Sequence, residues 1–163
     1  MNDKTRYERH AINLGKLLGN LQSIEMGARM AIVKLDKRAA GQVQSQLPQL
    51  KAGDSVELNA LTNGDDLRQT IEKYNKRAAL DCRIEVEPVV NLRDALAHGR
   101  AFGFGAAKPL RLLKFSRKIK NEKVLIELAL DMTDEWFLEN IRILEQALGR
   151  ITKALDYEVR EFS

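Results

Sequence analysis

The apolar residues near the C-terminus repeat at helical spacing and constrain the fold more than any other pattern in the chain. Spacings of four and three alternate along this stripe, which consists of Phe137, Ile141, Leu144, Leu148, Ile151 and Leu155. Residues at these spacings share one face of an α-helix. Thr133 followed by Asp134 and Glu135 is typical of a helix N-terminus, so the sequence predicts a helix from Thr133 to about Tyr157.

Two earlier segments also have helical patterns. Between Lys4 and Arg38 the apolar residues recur at spacings of three and four residues. This pattern predicts one long helix or two helices joined end to end. The segment 41–64 is rich in Gln, Gly, Ser and Asn and is predicted to be a connection. After it, Asp65 or Asp66 can cap a second helix that is expected to continue to about Cys82.

Strands are predicted in two places. Leu110–Ser116 and Val124–Leu130 are expected to pair around a tight turn near Asn121-Glu122, as a β-hairpin inserted over 109–131 before the last helix. The alternating apolar residues of the second run predict that one face of it packs on the core. A short strand is also expected at Ser55–Leu58.

The composition is that of a single globular domain spanning 1–163. The chain is 44% hydrophobic and 31% charged, and its net charge of +4 permits an anionic partner. The single cysteine, Cys82, is expected to be a small buried hydrophobe, and His10 is expected to lie on the surface. Because no signal peptide, membrane span or zinc-ligand spacing is recognisable, the sequence predicts a cytoplasmic protein without a cofactor or metal.

One short segment combines helical geometry with reactive side chains. Arg93, Asp94 and His98 are separated by Ala, Leu and Ala, which favour a helix that begins near Pro88 and stops at Gly99. Asp94 and His98 share a helix face, so an ionised Asp94 can orient the imidazole. Arg93 lies about 140° from His98 around the axis. A site that uses both groups is therefore expected to need two copies of the helix.

The run Leu-Arg-Asp-Ala-Leu-Ala-His-Gly resembles the signature of the HEPN superfamily (higher eukaryotes and prokaryotes nucleotide-binding domains). In that signature an arginine and a polar residue precede a histidine by a gap of four to six residues. Arg93, Asp94 and His98 fall on the three polar positions, with Leu92 and Gly99 beside them. The second position carries Asp where Asn is commoner, and the resemblance in residues covers only this run.

The resemblance implies a mainly α fold, an antiparallel bundle of about four main helices with the small hairpin before the last. Many HEPN proteins are metal-independent ribonucleases that act as homodimers, with the two motifs facing across the interface. Carried onto this chain, His98 would be the general acid or base, Arg93 would stabilise phosphoryl charge, and Asp94 would orient His98 or contact the substrate. The expected function is a toxin or defence endoribonuclease that leaves 2′,3′-cyclic phosphate ends, with RNA and an antitoxin protein, nucleotidyltransferase-like or other, as partners.

Two other interpretations remain open at this stage. Some HEPN proteins only bind nucleotides, RNA or a partner protein and have lost cleavage. Alternatively, the chain is a helical interaction protein in which Asp94 and His98 are simply neighbours on one helix face and Arg93 is solvated.

Basic residues are concentrated on and beside the predicted hairpin. Seven of them, opposed within this segment only by Glu122, are Lys108, Arg111, Lys114, Arg117, Lys118, Lys120 and Lys123. Such a cluster is typical of a phosphate-backbone binder, although lysine also protects exposed sheet edges from aggregation. The candidate RNA-binding residues are Arg100, Lys114, Arg117, Lys118 and Lys120.

Overall fold

A computed structural model describes residues 3–36, 47–103 and 109–160. The α-helices in these ranges are α1 (Asp3–Leu35), α2 (Leu67–Asn75), α3 (Val86–His98) and α4 (Asp134–Arg160). The strands are β1 (Arg100–Phe102), β2 (Leu110–Lys120) and β3 (Lys123–Met132). The mainly helical class and the small sheet before the last helix are therefore confirmed. None of the helices in the described ranges has the length and apolar character needed to cross a bilayer.

The described residues belong to two compact units. The first combines Met1–Leu21 with Glu87–Glu145, and the second combines Gln22–Val86 with Gln146–Ser163. Helices α1 and α4 contribute residues to both units, whereas the whole sheet belongs to the first. The helix that carries the motif and the basic hairpin are thus parts of the same unit.

The core of the first unit includes a histidine that the sequence pattern places on the surface. His10 is buried, and its ring meets the edge of Phe137 at a centroid distance of 5.0 Å. The surface prediction for His10 is wrong, because Phe137, which is distant in the sequence, packs against its ring. Trp136 packs edge-on against Phe137, also at 5.0 Å.

The helix α2 begins where the sequence predicts and ends earlier. Asp66 caps it, since its carboxylate accepts from the Gln69 N–H at 2.8 Å and the Gln69 side chain accepts from the Asp66 N–H at 3.1 Å. The predicted end near Cys82 is wrong, because the Asn75 amide both donates to and accepts from the Ile84 backbone and so holds the returning chain. Cys82 is buried as predicted, and burial raises the pKa of its thiol.

Three details of the predicted strands need correction. Ser55–Leu58 has no regular secondary structure and pairs with no strand in the described part of the chain. The segment Arg100–Phe102, where no strand is predicted, forms β1, a strand of three residues that is too short to show an alternating pattern. In β3, Val124 and Ile126 are exposed, so the predicted core face is limited to its second half.

The turn of the hairpin is placed as predicted. Asn121 and Glu122 have φ values of 50° and 58° and connect β2 directly to β3. Two successive residues with positive φ form the type I′ turn, whose twist matches that of the flanking strands. The sheet is antiparallel throughout, in the order β1-β2-β3.

In the second unit, a buried arginine holds the loop that precedes α2. The Arg29 guanidinium donates to the carbonyls of Ala60 at 2.9 Å and Asp65 at 2.6 Å, and to the Asn63 side chain at 2.7 Å. It also donates to Glu25, one turn earlier on α1, at 2.9 Å. A planar group with five donors can satisfy all these acceptors at once.

We expect Arg29→Ala to lower the free energy of unfolding by about 1–3 kcal/mol, because it leaves partly buried carbonyls without donors. Arg29→Lys should restore only part of this loss, since an ammonium lacks the fork. Denaturant unfolding followed by circular dichroism measures both. Lys16→Ala, an exposed change on the same helix, is the control, and an Arg29→Ala loss no larger than the Lys16→Ala loss would contradict the assignment.

Candidate functional site

The motif helix α3 ends against the sheet through a single glycine. Val89, Leu92 and Ala95 form its buried face. The Gly99 N–H donates to the Ala95 carbonyl at 2.8 Å and closes the last turn, which ends at His98. Arg100, the residue after Gly99, already belongs to β1. His98 is thereby held within two residues of the sheet.

The corner at Gly99 has no room for a side chain. A Cβ atom at this position would lie 2.3 Å from the Ala95 carbonyl oxygen and 2.6 Å from Cδ1 of Leu112, which is fully buried. Since one of these atoms belongs to the backbone, a larger residue would force the helix end and the sheet apart. The prediction that Gly99 stops the helix is confirmed, and its cause is close approach.

The pairing of β2 with β3 changes register twice in the middle of the hairpin. Lys114 lies opposite Leu128, but Phe115 lies opposite Ile126, so Glu127 is an extra residue on β3. Such β-bulges interrupt the ladder and redirect side chains.

The second register change adds residues to the other strand. After Phe115, the next aligned pair is Ile119 with Val124, so the segment 116–118 on β2 faces only Leu125 on β3. A regular strand sends neighbouring side chains to opposite faces. The irregular pairing allows several consecutive side chains to contribute to one site.

A cavity of about 320 Å³ joins the motif to this irregular part of the hairpin. Its volume is at the lower end of the range for small-molecule sites. The residues that line it are Asp94, His98, Lys114, Phe115, Ser116, Arg117, Lys118 and Glu127. The structure therefore brings two of the three motif residues together with three of the five candidate RNA-binding residues.

The cavity carries an excess of positive charge. Lys114 is 3.7 Å from Glu127 and is thereby partly neutralised. Arg117 and Lys118 are exposed and have no ion-pair partner among the described residues. Both cations thus remain available to an anion that enters beside His98.

Arg93 and Asp94 pair with each other on the solvent side of α3. The guanidinium donates to Asp94 Oδ1 at 2.9 Å, and Arg93 does not line the cavity. Asp94 and His98 both line the cavity, so they share a helix face as predicted. No hydrogen bond or ion pair between described residues joins them, however, so the expected orienting bond is not formed.

Two candidate RNA-binding residues lie outside the cavity. The Arg100 guanidinium sits over the ring of Phe115, with its Cζ atom 5.3 Å from the ring centroid. Lys120 lies next to the turn and faces Lys123 across the hairpin. Lys108 falls outside the described residues. Sequence reasoning missed Phe115, Ser116 and Glu127, because only the register changes bring them to the site.

No group of three or more His, Cys, Asp or Glu side chains in the described ranges is arranged to hold a metal ion. Comparisons with protein-family models, with characterised proteins and with solved structures found no match to this chain.

We expect Gly99→Ala to destabilise the protein by about 1–3 kcal/mol, the usual cost of overpacking, because its methyl group would overlap the Ala95 carbonyl and Leu112. The matched control is Gly19→Ala on the exposed face of α1, where nothing lies within 4 Å. There, alanine should stabilise by about 0.5–1 kcal/mol through its better helix propensity. Thermal and denaturant unfolding measure both, and changes of the same sign would refute the close-approach argument.

Proposed function

We propose that the chain is a metal-independent endoribonuclease of the HEPN type that acts as a homodimer. One observation carries the proposal, namely that His98 and Asp94 of the HEPN-like motif line the same cavity as Lys114, Arg117 and Lys118. A proton-transferring group beside several cations suits a reaction at a phosphodiester. The four α-helices in the described part of the chain, with a small sheet before the last of them, support a HEPN-like architecture.

In the proposed reaction, the ribose 2′-oxygen attacks the adjacent phosphorus while His98 accepts the hydroxyl proton or supplies one to the departing 5′-oxygen. The bond to the 5′-oxygen breaks, and the products are a 2′,3′-cyclic phosphate and a free 5′-hydroxyl. Arg117 and Lys118 offset the charge on the non-bridging oxygens. These steps need no oxidant or reductant, and a proton returned through water completes the cycle.

Arg93 has its role in the assembled dimer. Within one protomer it is paired with Asp94 and lies outside the cavity. A second protomer that faces the motif gives Arg93 access to the phosphate and frees Asp94 to hold the His98 imidazole. As a toxin or defence ribonuclease, the protein would also be controlled by an antitoxin partner.

We expect His98→Ala to lower RNA cleavage in excess EDTA by about 10²–10⁴-fold or more, the range typical of a lost general acid or base. The protein should remain folded, because His98 is exposed at the end of α3. Gel analysis of a defined RNA measures the rate, and mass spectrometry identifies the cyclic phosphate end.

The control for this experiment is Lys16→Ala, which should cleave as the wild type does. A substrate with deoxyribose at the scissile position should resist cleavage, because it lacks the nucleophile. Undiminished activity of His98→Ala, or equal cleavage of the deoxyribose substrate, would disprove the mechanism.

A non-catalytic HEPN module that binds nucleotides or RNA is the second candidate. The ion pair between Arg93 and Asp94 favours this second function, because two of the three motif residues are then engaged with each other and not with a reacting phosphate. Arg117 and Lys118 would then hold a phosphate group without reaction. Titration calorimetry with mononucleotides measures the binding, and the cleavage assay described above separates the two functions. A binding module binds nucleotides but cleaves no RNA under any of these conditions.

Under either function, the cations in the cavity should contribute more to RNA binding than those beside the turn. We expect Lys118→Gln to weaken binding more than Lys120→Gln, because Lys118 lines the cavity and Lys120 does not. Both should flatten the dependence of affinity on salt by about one unit of slope, because each removes one phosphate contact. Fluorescence anisotropy across a salt series measures both effects, and equal losses of affinity would argue against a role for the cavity.

A further inference from the structure

The outer edge of the sheet presents an apolar segment. Strand β3 is the last in the order β1-β2-β3, so no strand among the described residues pairs with its outer side. Three consecutive apolar side chains near its start are exposed, namely Val124 at 46%, Leu125 at 71% and Ile126 at 51%. An edge of this kind readily accepts another strand, and proteins usually protect it with charge, proline or a cover.

This segment is complementary to a reversed copy of itself. It begins with Lys123, continues through the three apolar residues and ends with Glu127. When two copies pair antiparallel about Leu125, Lys123 of each faces Glu127 of the other, and Val124 faces Ile126. Opposite charges and apolar side chains directly across a strand pair stabilise it.

Neighbouring registers lose this complementarity. A shift of one residue places Glu122 opposite Glu127 in one direction and Val124 opposite Glu127 in the other. A pair centred on Val124 or Ile126 places a charge opposite Leu125. Only the register centred on Leu125 matches every position from Lys123 to Glu127.

We propose that β3 pairs with β3 of a second copy of this chain, about a two-fold axis at Leu125. The partner is a second copy because the segment complements itself, as an isologous interface requires. The two three-stranded sheets then join into one sheet of six strands. The bulge at Glu127 interrupts the strand and limits the pairing to this segment.

The pairing also affects the cavity. Glu127 lines it and lies near Lys114, and in the dimer it gains Lys123 of the second copy as another cation. A two-fold axis at Leu125 is perpendicular to the sheet, so both cavities open on the same face. The two Glu127 positions are four residues apart along the strands, or roughly 14 Å. This interface rests on β3, is separate from the interface that brings the two motifs face to face in the proposed ribonuclease, and is independent of any reaction at His98.

Charge reversal tests the register. Lys123→Glu and Glu127→Lys should each raise the dimer dissociation constant about tenfold or more, because each places like charges opposite one another twice in the dimer. The double variant should return to near the wild-type value, since its charges are opposite again. Sedimentation velocity without RNA measures the three variants beside Lys16→Glu, which changes charge on α1 and should have no effect.

Cysteine substitution tests the centre of the pairing. Leu125→Cys should form a covalent dimer on oxidation, because residues directly opposite have Cβ atoms about 4.5–5.5 Å apart. Val124→Cys, which is also exposed, should not form such a dimer, because Val124 of the other copy lies diagonally across the strand pair at about 7–8 Å. The natural Cys82 is buried and does not interfere.

The proposal predicts rescue in the double variant and selective cross-linking at position 125. A monomer at micromolar concentration, equal cross-linking of the two cysteine variants, or a dimer that is insensitive to both single charge reversals would overturn it. Because no RNA is present, these outcomes are independent of the proposed ribonuclease activity. Circular dichroism of each variant verifies folding, and rescue in the double variant rules out a loss of fold in the single ones.

Discussion

The first unit depends on the close contact at Gly99. The last hydrogen bond of α3 ends on this residue, and β1 begins at Arg100, directly opposite Leu113 of β2. The Ala95 carbonyl and the Leu112 side chain occupy the space that a side chain would need. Because Gly99 has no side chain, the end of α3 can pack closely against Leu112 of the sheet. This close packing holds Asp94 and His98 in position relative to the hairpin.

The second requirement for the site is the irregular pairing of the hairpin. Five consecutive residues, 114–118, line the same cavity. Strict alternation would turn about half of them to the opposite face of the sheet. The register changes on both sides of Phe115 remove this restriction, so that Arg117 and Lys118 reach the side where His98 lies. Bulges are common beside functional sites for this reason.

The basic residues of the hairpin are paired with acids toward its base and unpaired toward its turn. Near its base, Arg111 is 3.6 Å from Asp131, and further along Lys114 is near Glu127. The described cations beyond these pairs, Arg117, Lys118, Lys120 and Lys123, have no such partner, so the unpaired cations of the hairpin are concentrated toward its turn. An anion approaching the cavity is attracted from this side, whereas the exposed apolar segment of β3 lies on the outer edge and suits another strand.

The sequence by itself determined the features that depend on neighbours along the chain. Helix positions follow from apolar spacing, and Phe137, Leu144 and Ile151 are buried as their pattern predicts. The Asp66 cap and the turn at Asn121 are local chemistry of two to four residues, which is why both were predictable.

Tertiary structure alone decided the features that depend on distant partners. His10 is buried because Phe137 packs against it, and α2 ends at Asn75 because Asn75 binds Ile84. The register of the hairpin, which no residue pattern specifies, selected the side chains that line the cavity.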